Sequence, residues 1–131
     1  RLTKKINFRK IETTIPEDKF ISTIIGLIGK IKNVTLDVNV VSKKIYELED
    51  SMFVFLDIAD NTGGMSAVLV GNRNVDFRTL VQNIKFGVNY RVAGNVSVID
   101  DSFDEDLPFR DEISGDKLFC IYAIQNLTEI D

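Results

Sequence analysis

Apolar residues recur at every second position over most of this chain, and at helical spacing in only one place. From residue 19 onward, Ile21, Thr23, Ile25, Leu27, Gly29 and Ile31 form one alternating set. Ser22, Ile24, Gly26, Ile28, Lys30 and Lys32 form the other, which begins apolar and ends charged. That pattern predicts a long first strand, buried on both faces at one end and wet at the other, with Gly26 and Gly29 permitting a sharp coil within it. Residues 35–41 either continue this strand or open a loop, and residues 43–50 read as a charged turn. In the second strand, residues 52–59, Met52, Val54, Leu56 and Ile58 alternate against Phe53, Phe55 and Asp57. The sequence Asp60-Asn61-Thr62-Gly63-Gly64 predicts a tight reversal, since Asp, Asn and Gly tolerate positive φ. Residues 65–70 return as a third strand. Phe77, Leu80, Val81 and Ile84 then stand at i, i+3, i+4 and i+7, with Asn74 or Asp76 placed to cap the helix and Gly87 to stop it. A fourth strand over 88–99 carries Tyr90, Val92, Gly94, Val96 and Val98 on one face. Residues 100–116, with Pro108 and Gly115, form a long loop before a fifth strand over 117–127.

Five strands with one short helix between the third and fourth is an order with few solutions. A curled sheet of five strands closes on itself to remove its edges. The expected class is therefore all-β: a five-stranded Greek-key barrel of the OB-fold type, its helix plugging the barrel end. Residues 1–18 precede this pattern as a basic arm. Pro16 biases Ile15 toward extended geometry, so the arm is expected to lie against the barrel, with Ile6 and Phe8 available for an edge strand. Residues 19–131 make up the OB domain, with residues 100–116 as the loop between strands four and five.

Three stretches carry a family resemblance. Residues 52–71, MFVFLDIADNTGGMSAVLVG, resemble the second and third strands of replication-type OB-folds, in which a strand ends in Asp, turns through Thr/Ser-Gly and returns. Residues 76–98, DFRTLVQNIKFGVNYRVAGNVSV, are similar to the helix, glycine and fourth strand of those domains, and residues 117–130, KLFCIYAIQNLTEI, to their last strand. The likeness is to the replication protein A and telomere-protein group, and secondly to the OB domain of the PolC-type bacterial replicative polymerase. It implies single-stranded nucleic-acid binding within a replication, repair or telomere-maintenance protein.

Composition narrows the chemistry. The 131 residues include no His and one Cys, which excludes a zinc site, a disulfide framework and most His-based catalysis. No cofactor, metal, membrane or small-molecule substrate is expected. The single Cys120 points to a reducing, intracellular compartment, the nucleus of a eukaryote or the cytoplasm of a bacterium. Arg1 at the start is read as the beginning of a segment cut from a longer chain or of a processed product. Three N-x-S/T triplets, at Asn33, Asn95 and Asn126, are read as chance in an Asn-rich sequence. The net charge of −4 is uneven. Residues 1–99 carry 14 basic and 10 acidic groups, whereas residues 100–116 carry eight carboxylates and one Arg. A mildly basic body thus bears one acidic segment.

OB-folds that bind nucleic acid use the face of strands two and three, with stacking rings for bases and cations along the phosphates. If Met52, Val54, Leu56 and Ile58 face inward, Phe53 and Phe55 share the outer face with Asp57, which is costly to bury. Two outward rings two residues apart form a stacking platform; the alternative is packing under the arm, the helix or a partner, with Phe8 and Phe20 as neighbours. Lys30, Lys32, Lys43, Lys44, Arg73 and Arg91 supply a candidate phosphate track, or else a solvated surface in which Glu47, Glu49 and Asp50 neutralise Lys43 and Lys44. The acidic loop repels phosphates over a Debye length of about 8 Å. It is a solvated spacer, a docking element for a basic partner through Phe103, Asp104, Glu105, Asp106 and Phe109, or a mimic of nucleic acid covering its own groove.

Nothing in the sequence assembles a catalytic site. Asp57 and Asp60 are paired acids without an environment to separate their pKa values. Cys120 alternates with Leu118 and Tyr122 on an apolar face and is expected to be buried and inert. The resulting expectation is a non-enzymatic domain that binds single-stranded DNA or RNA. The main rival is an OB-fold scaffold within a replication or telomere complex, its groove covered and its acidic loop docking another subunit; a third reading is a substrate-positioning domain of an enzyme such as a polymerase or aminoacyl-tRNA synthetase, with the catalytic part outside this segment.

Overall fold

The computed structural model describes residues 10–100 and 107–129. Six strands form one sheet: β1 (Ile21–Ser22), β2 (Ile31–Glu47), β3 (Met52–Asp60), β4 (Gly63–Gly71), β5 (Asn89–Val98) and β6 (Lys117–Asn126), with one helix, α1 (Val75–Gln82). Apart from the two-residue β1, each strand pairs with its neighbours around a closed circuit, in the order β2, β3, β4, β6, β5 and back to β2. All these pairings are antiparallel except β4 with β6, which runs parallel over Ser66–Val68 and Leu118–Cys120. Five principal strands closed in this order, with the helix between the third and fourth, are an OB-fold barrel.

The barrel interior follows from the alternation. Leu36, Val38, Val40, Val54, Leu56, Ile58, Leu69, Val92 and Phe119 fill it, all buried. Phe77, Val81 and Ile84 of the helix side close one end. Asn74 caps α1, its side-chain oxygen accepting the Phe77 N–H at 2.8 Å. This satisfies one of the donors that a helix start leaves unpaired.

The first long strand lies further along the chain than the alternation predicts. Residues 19–30 form only β1 and a 3-10 turn, Ile24–Gly26, with Gly29 at φ 74°. The reason is non-local: the Ile24 N–H bonds the Asp60 carboxylate and the Ile25 N–H bonds the Thr62 hydroxyl, so this segment is held across the tip of the β3–β4 hairpin. Residues 43–47, expected as a turn, continue β2. A register shift between Val40 and Ser42 makes Val41 an extra residue, so that Ser42, Lys44 and Tyr46 stand opposite Asp57, Phe55 and Phe53 on the outer face. The turn itself falls at residues 48–51, closed by the Leu48 N–H on the Ser51 carbonyl at 2.8 Å.

The β3–β4 reversal sits where it is predicted but is made differently. None of its residues has positive φ. The Asp60 carboxylate instead accepts the Thr62 and Gly63 N–H groups at 2.8 and 3.1 Å and the Thr62 hydroxyl at 2.5 Å.

Outside the barrel, residues 11–15 run along β6 past its short pairing with β4. The Glu12 N–H donates to the Tyr122 carbonyl at 3.0 Å, and the Ile124 N–H to the Glu12 carbonyl at 2.9 Å. Ile15 packs on Ala93 and Ala123. Ile6 and Phe8 lie outside the described residues.

Candidate nucleic-acid interface

Strand pairing sets the outer face of β3. Phe53 stands opposite Val70 and Phe55 opposite Val68 on β4, while Tyr46 and Lys44 flank them on β2. The parity read from the sequence is therefore correct: Met52, Val54, Leu56 and Ile58 face the barrel and the two rings face away from it. Of the two readings of these rings, packing is the one that holds, under a segment other than the arm, the helix or a partner. Both are buried, because residues 107–113 of the β5–β6 connection fold back over them and form a second core with Val68 and Leu118.

Phe109 is the centre of this cover. Its ring stacks on Phe55 with centroids 5.1 Å apart and planes 26° from parallel, and it meets Phe53 and Tyr46 at 5.8 and 6.3 Å in tilted contacts. Leu107 is buried beside it. Glu112 pairs with Lys44, and the Ser114 N–H donates to the Ser66 hydroxyl of β4 at 3.0 Å. Phe109 is thus no free docking residue; Phe103, Asp104, Glu105 and Asp106 lie outside the described residues.

The six cations separate into two groups. Four have internal partners. The Lys43 ammonium donates at 3.0 Å to the Val81 and Ile84 carbonyls at the end of α1, where burial and the nearby Lys85 charge push its pKa down. Lys44 holds Glu112, and Arg73 donates to the Leu48 carbonyl at 3.1 Å beside Glu47. Arg91 grips Asp37 across the β2–β5 pair through Nε and Nη2 at 2.7 and 3.0 Å; that bonding raises its pKa. A continuous phosphate track through these four is therefore not assembled in this conformation. Lys30 and Lys32 are exposed, and no side-chain partner holds them among the described residues.

Asp57 stays at the edge of the covered face, accepting the Ser42 hydroxyl at 2.6 Å. Cys120 packs against the second core; burial pushes its thiol pKa up, partly offset by the Ser97 hydroxyl. The sequence left a self-covering loop open as one of three readings, and Leu107, Phe109 and Ile113, apolar within an acidic segment, are the residues that make the cover.

No protein-family profile and no curated protein matches the sequence. Solved structures do. Aspartyl tRNA synthetase from Entamoeba histolytica superposes with a TM-score of 0.59 and 13% identity, over 94% of this chain and 25% of that one. A protein assigned as an aspartyl-tRNA synthetase from Leishmania major Friedlin gives a TM-score of 0.61 and 11% identity, over 90% of this chain and 22% of that one. The chain spans about a quarter of each. At such identities the likeness is one of fold, and these two structures lend no support to a replication or telomere setting.

Proposed function

We propose that this chain is a non-enzymatic OB-fold module that binds single-stranded nucleic acid, with the outer face of β3 and β4 as its groove and residues 107–113 as a built-in cover. The observation that carries this reading is the pairing of Phe109 with Phe55 and of Glu112 with Lys44. The cover offers the groove the two contacts a strand would offer: a flat ring on an aromatic, and an anion on a cation. The two solved structures described above carry aspartyl-tRNA synthetase names, which makes RNA the first strand to test. The replication, repair or telomere setting rests on the sequence resemblance alone.

Magnitudes decide what the cover does. Truncating a buried Phe costs about 3–5 kcal/mol, and a buried Leu about 2–5. Two bases stacked on Phe53 and Phe55 return about 1–3 kcal/mol each. The closed form therefore dominates in the free protein, and affinity is reduced by the small fraction that is open. Burial this complete also supports the rival reading, a permanently covered scaffold for other subunits.

Fluorescence anisotropy with labelled single strands of RNA and DNA separates the two. Glu112→Gln frees Lys44 without touching the second core, and Phe109→Ala removes the stacked ring. Both are expected to bind more tightly than the unaltered protein, the second by roughly tenfold, the value of one stacking contact. No binding by any of the three proteins at low salt overturns the nucleic-acid reading and leaves the scaffold.

A further inference from the structure

The opposite side of the barrel carries an open cleft that neither the cover nor the covered groove involves. Residues 11–15 cross β6 and leave a space of about 360 Å³ between themselves and the sheet, lined in part by Thr14, Lys19, Asn33, Thr35 and Tyr122. That volume lies within the range of small-ligand sites, about 300–1,000 Å³.

Two irregularities of the sheet shape its floor. In the β5–β6 pairing Ala93 stands opposite Ala123 and Gly94 opposite Ile121, which leaves Tyr122 as an extra residue. Bulges of this kind re-aim a side chain. Asn33 lies in a matching irregularity of the β2–β5 pairing, with φ 58°, a left-handed conformation that Asn tolerates better than most residues. Its N–H donates to the Asn95 side-chain oxygen at 2.9 Å, and its own side-chain oxygen accepts the Tyr122 hydroxyl at 2.9 Å. The backbone and the side-chain amide of Asn33 are thus each held by one bond, and its Nδ2 donors have no partner among the described residues.

The rim supplies what a single strand needs. Lys19, Lys30 and Lys32 are exposed. Phe20, next to Lys19 in the chain, is 84% exposed, a ring left in water; Ile25 and Ile28 further along the same segment are 72% and 83% exposed. Ile24 and Leu27 are buried in the barrel core, so the segment bearing these exposed groups is anchored from beneath. Glu12 is the acid in the cleft lining, while Glu17 lies toward Arg91 in a separate depression.

We propose that this cleft and its rim are a second contact site for single-stranded nucleic acid. Tyr122 and Asn33 receive one nucleotide, Phe20 stacks a neighbouring base, and Lys19, Lys30 and Lys32 meet the phosphates. The site is available while residues 107–113 still cover β3 and β4. It rests on the nucleic-acid reading above and adds to it a place where the closed protein first holds the strand.

The test uses the intact chain and a labelled single strand of RNA or DNA, about 12 nucleotides long, long enough to cover one OB-fold site. Reversing the three lysines (Lys19→Glu, Lys30→Glu, Lys32→Glu) is expected to weaken binding at least tenfold. Losing three phosphate contacts should also flatten the slope of log affinity against log salt by about 2. These lysines are exposed, so an unchanged circular dichroism spectrum and melting temperature are expected. Photo-crosslinking should place the strand on peptides containing Phe20 and Tyr122. Crosslinks confined to residues 46–70, together with unaltered affinity of the triple variant, would overturn the proposal. The same triple change in a Phe109→Ala background keeps the two ideas apart. If Phe109→Ala binds and the lysine changes do not weaken it, only the cleft falls. If no protein in the set binds any strand, the function proposed for the module falls as well.

Discussion

The carboxylate of Asp60 accepts the Ile24 N–H at 2.8 Å, tying the tip of the β3–β4 hairpin to the segment that precedes β2. The same group closes the hairpin through Thr62 and Gly63. Burial alone would raise the Asp60 pKa, but the Thr62 hydroxyl and the three backbone N–H groups outweigh it and hold it below the ordinary 3.8. The folded protein therefore favours the charged form.

Asp60→Ala leaves three backbone donors without this acceptor and is expected to cost about 2 kcal/mol at neutral pH. Because the folded pKa is depressed, this stabilisation is present above pH 3.8 and lost as the pH falls through and below that value. Urea unfolding at a series of pH values checks both points. The unaltered protein should lose stability below about pH 4, whereas Asp60→Ala should show a shallower acid dependence.

Lys43 emerges from a strand to hold the last turn of α1. Its two bonds reach the Val81 carbonyl in the last turn, which also accepts the Ile84 N–H at 3.2 Å, and the Ile84 carbonyl just beyond the helix. Lys43→Met keeps the apolar stem and removes the charge, and should cost about 1–2 kcal/mol in urea unfolding. Stability equal to that of the unaltered protein would show that water serves these carbonyls as well as the ammonium does.

Gly94 sits where β5 approaches the β6 backbone at the bulge. A Cβ there would lie 2.2 Å from the Cys120 carbonyl oxygen, a contact that backbone has to move to relieve. Gly94→Ala is expected to lower stability by about 2–3 kcal/mol, the upper part of the overpacking range. Gly63→Ala is the control, since its Cβ would find nothing nearer than Ile24 Cγ2 at 3.9 Å and should leave the melting temperature almost unchanged.

The sequence by itself determined the barrel class, the β3–β4 hairpin, the helix with a cap at Asn74 or Asp76, of which the fold uses Asn74, and the parity of β3. Each depends on spacing along the chain: a period of two for Met52, Val54, Leu56 and Ile58, and a helical period for Phe77, Val81 and Ile84. Those periods are imposed by local backbone geometry and survive in any tertiary setting. Tertiary structure alone decided where the first long strand lies, because the alternation of residues 21–31 fits a strand equally well until Asp60 and Thr62 claim the Ile24 and Ile25 N–H groups. It also decided that Phe53 and Phe55 are covered. Parity fixes which way a side chain leaves the sheet, but its exposure depends on what distant segment comes to rest there, and Phe109 is brought by the connection between β5 and β6. Charge behaves in the same way. Lys43, Lys44, Arg73 and Arg91 look alike in sequence to Lys30 and Lys32, yet only folding reveals which cations have a carbonyl or carboxylate within reach and which are left to meet a partner.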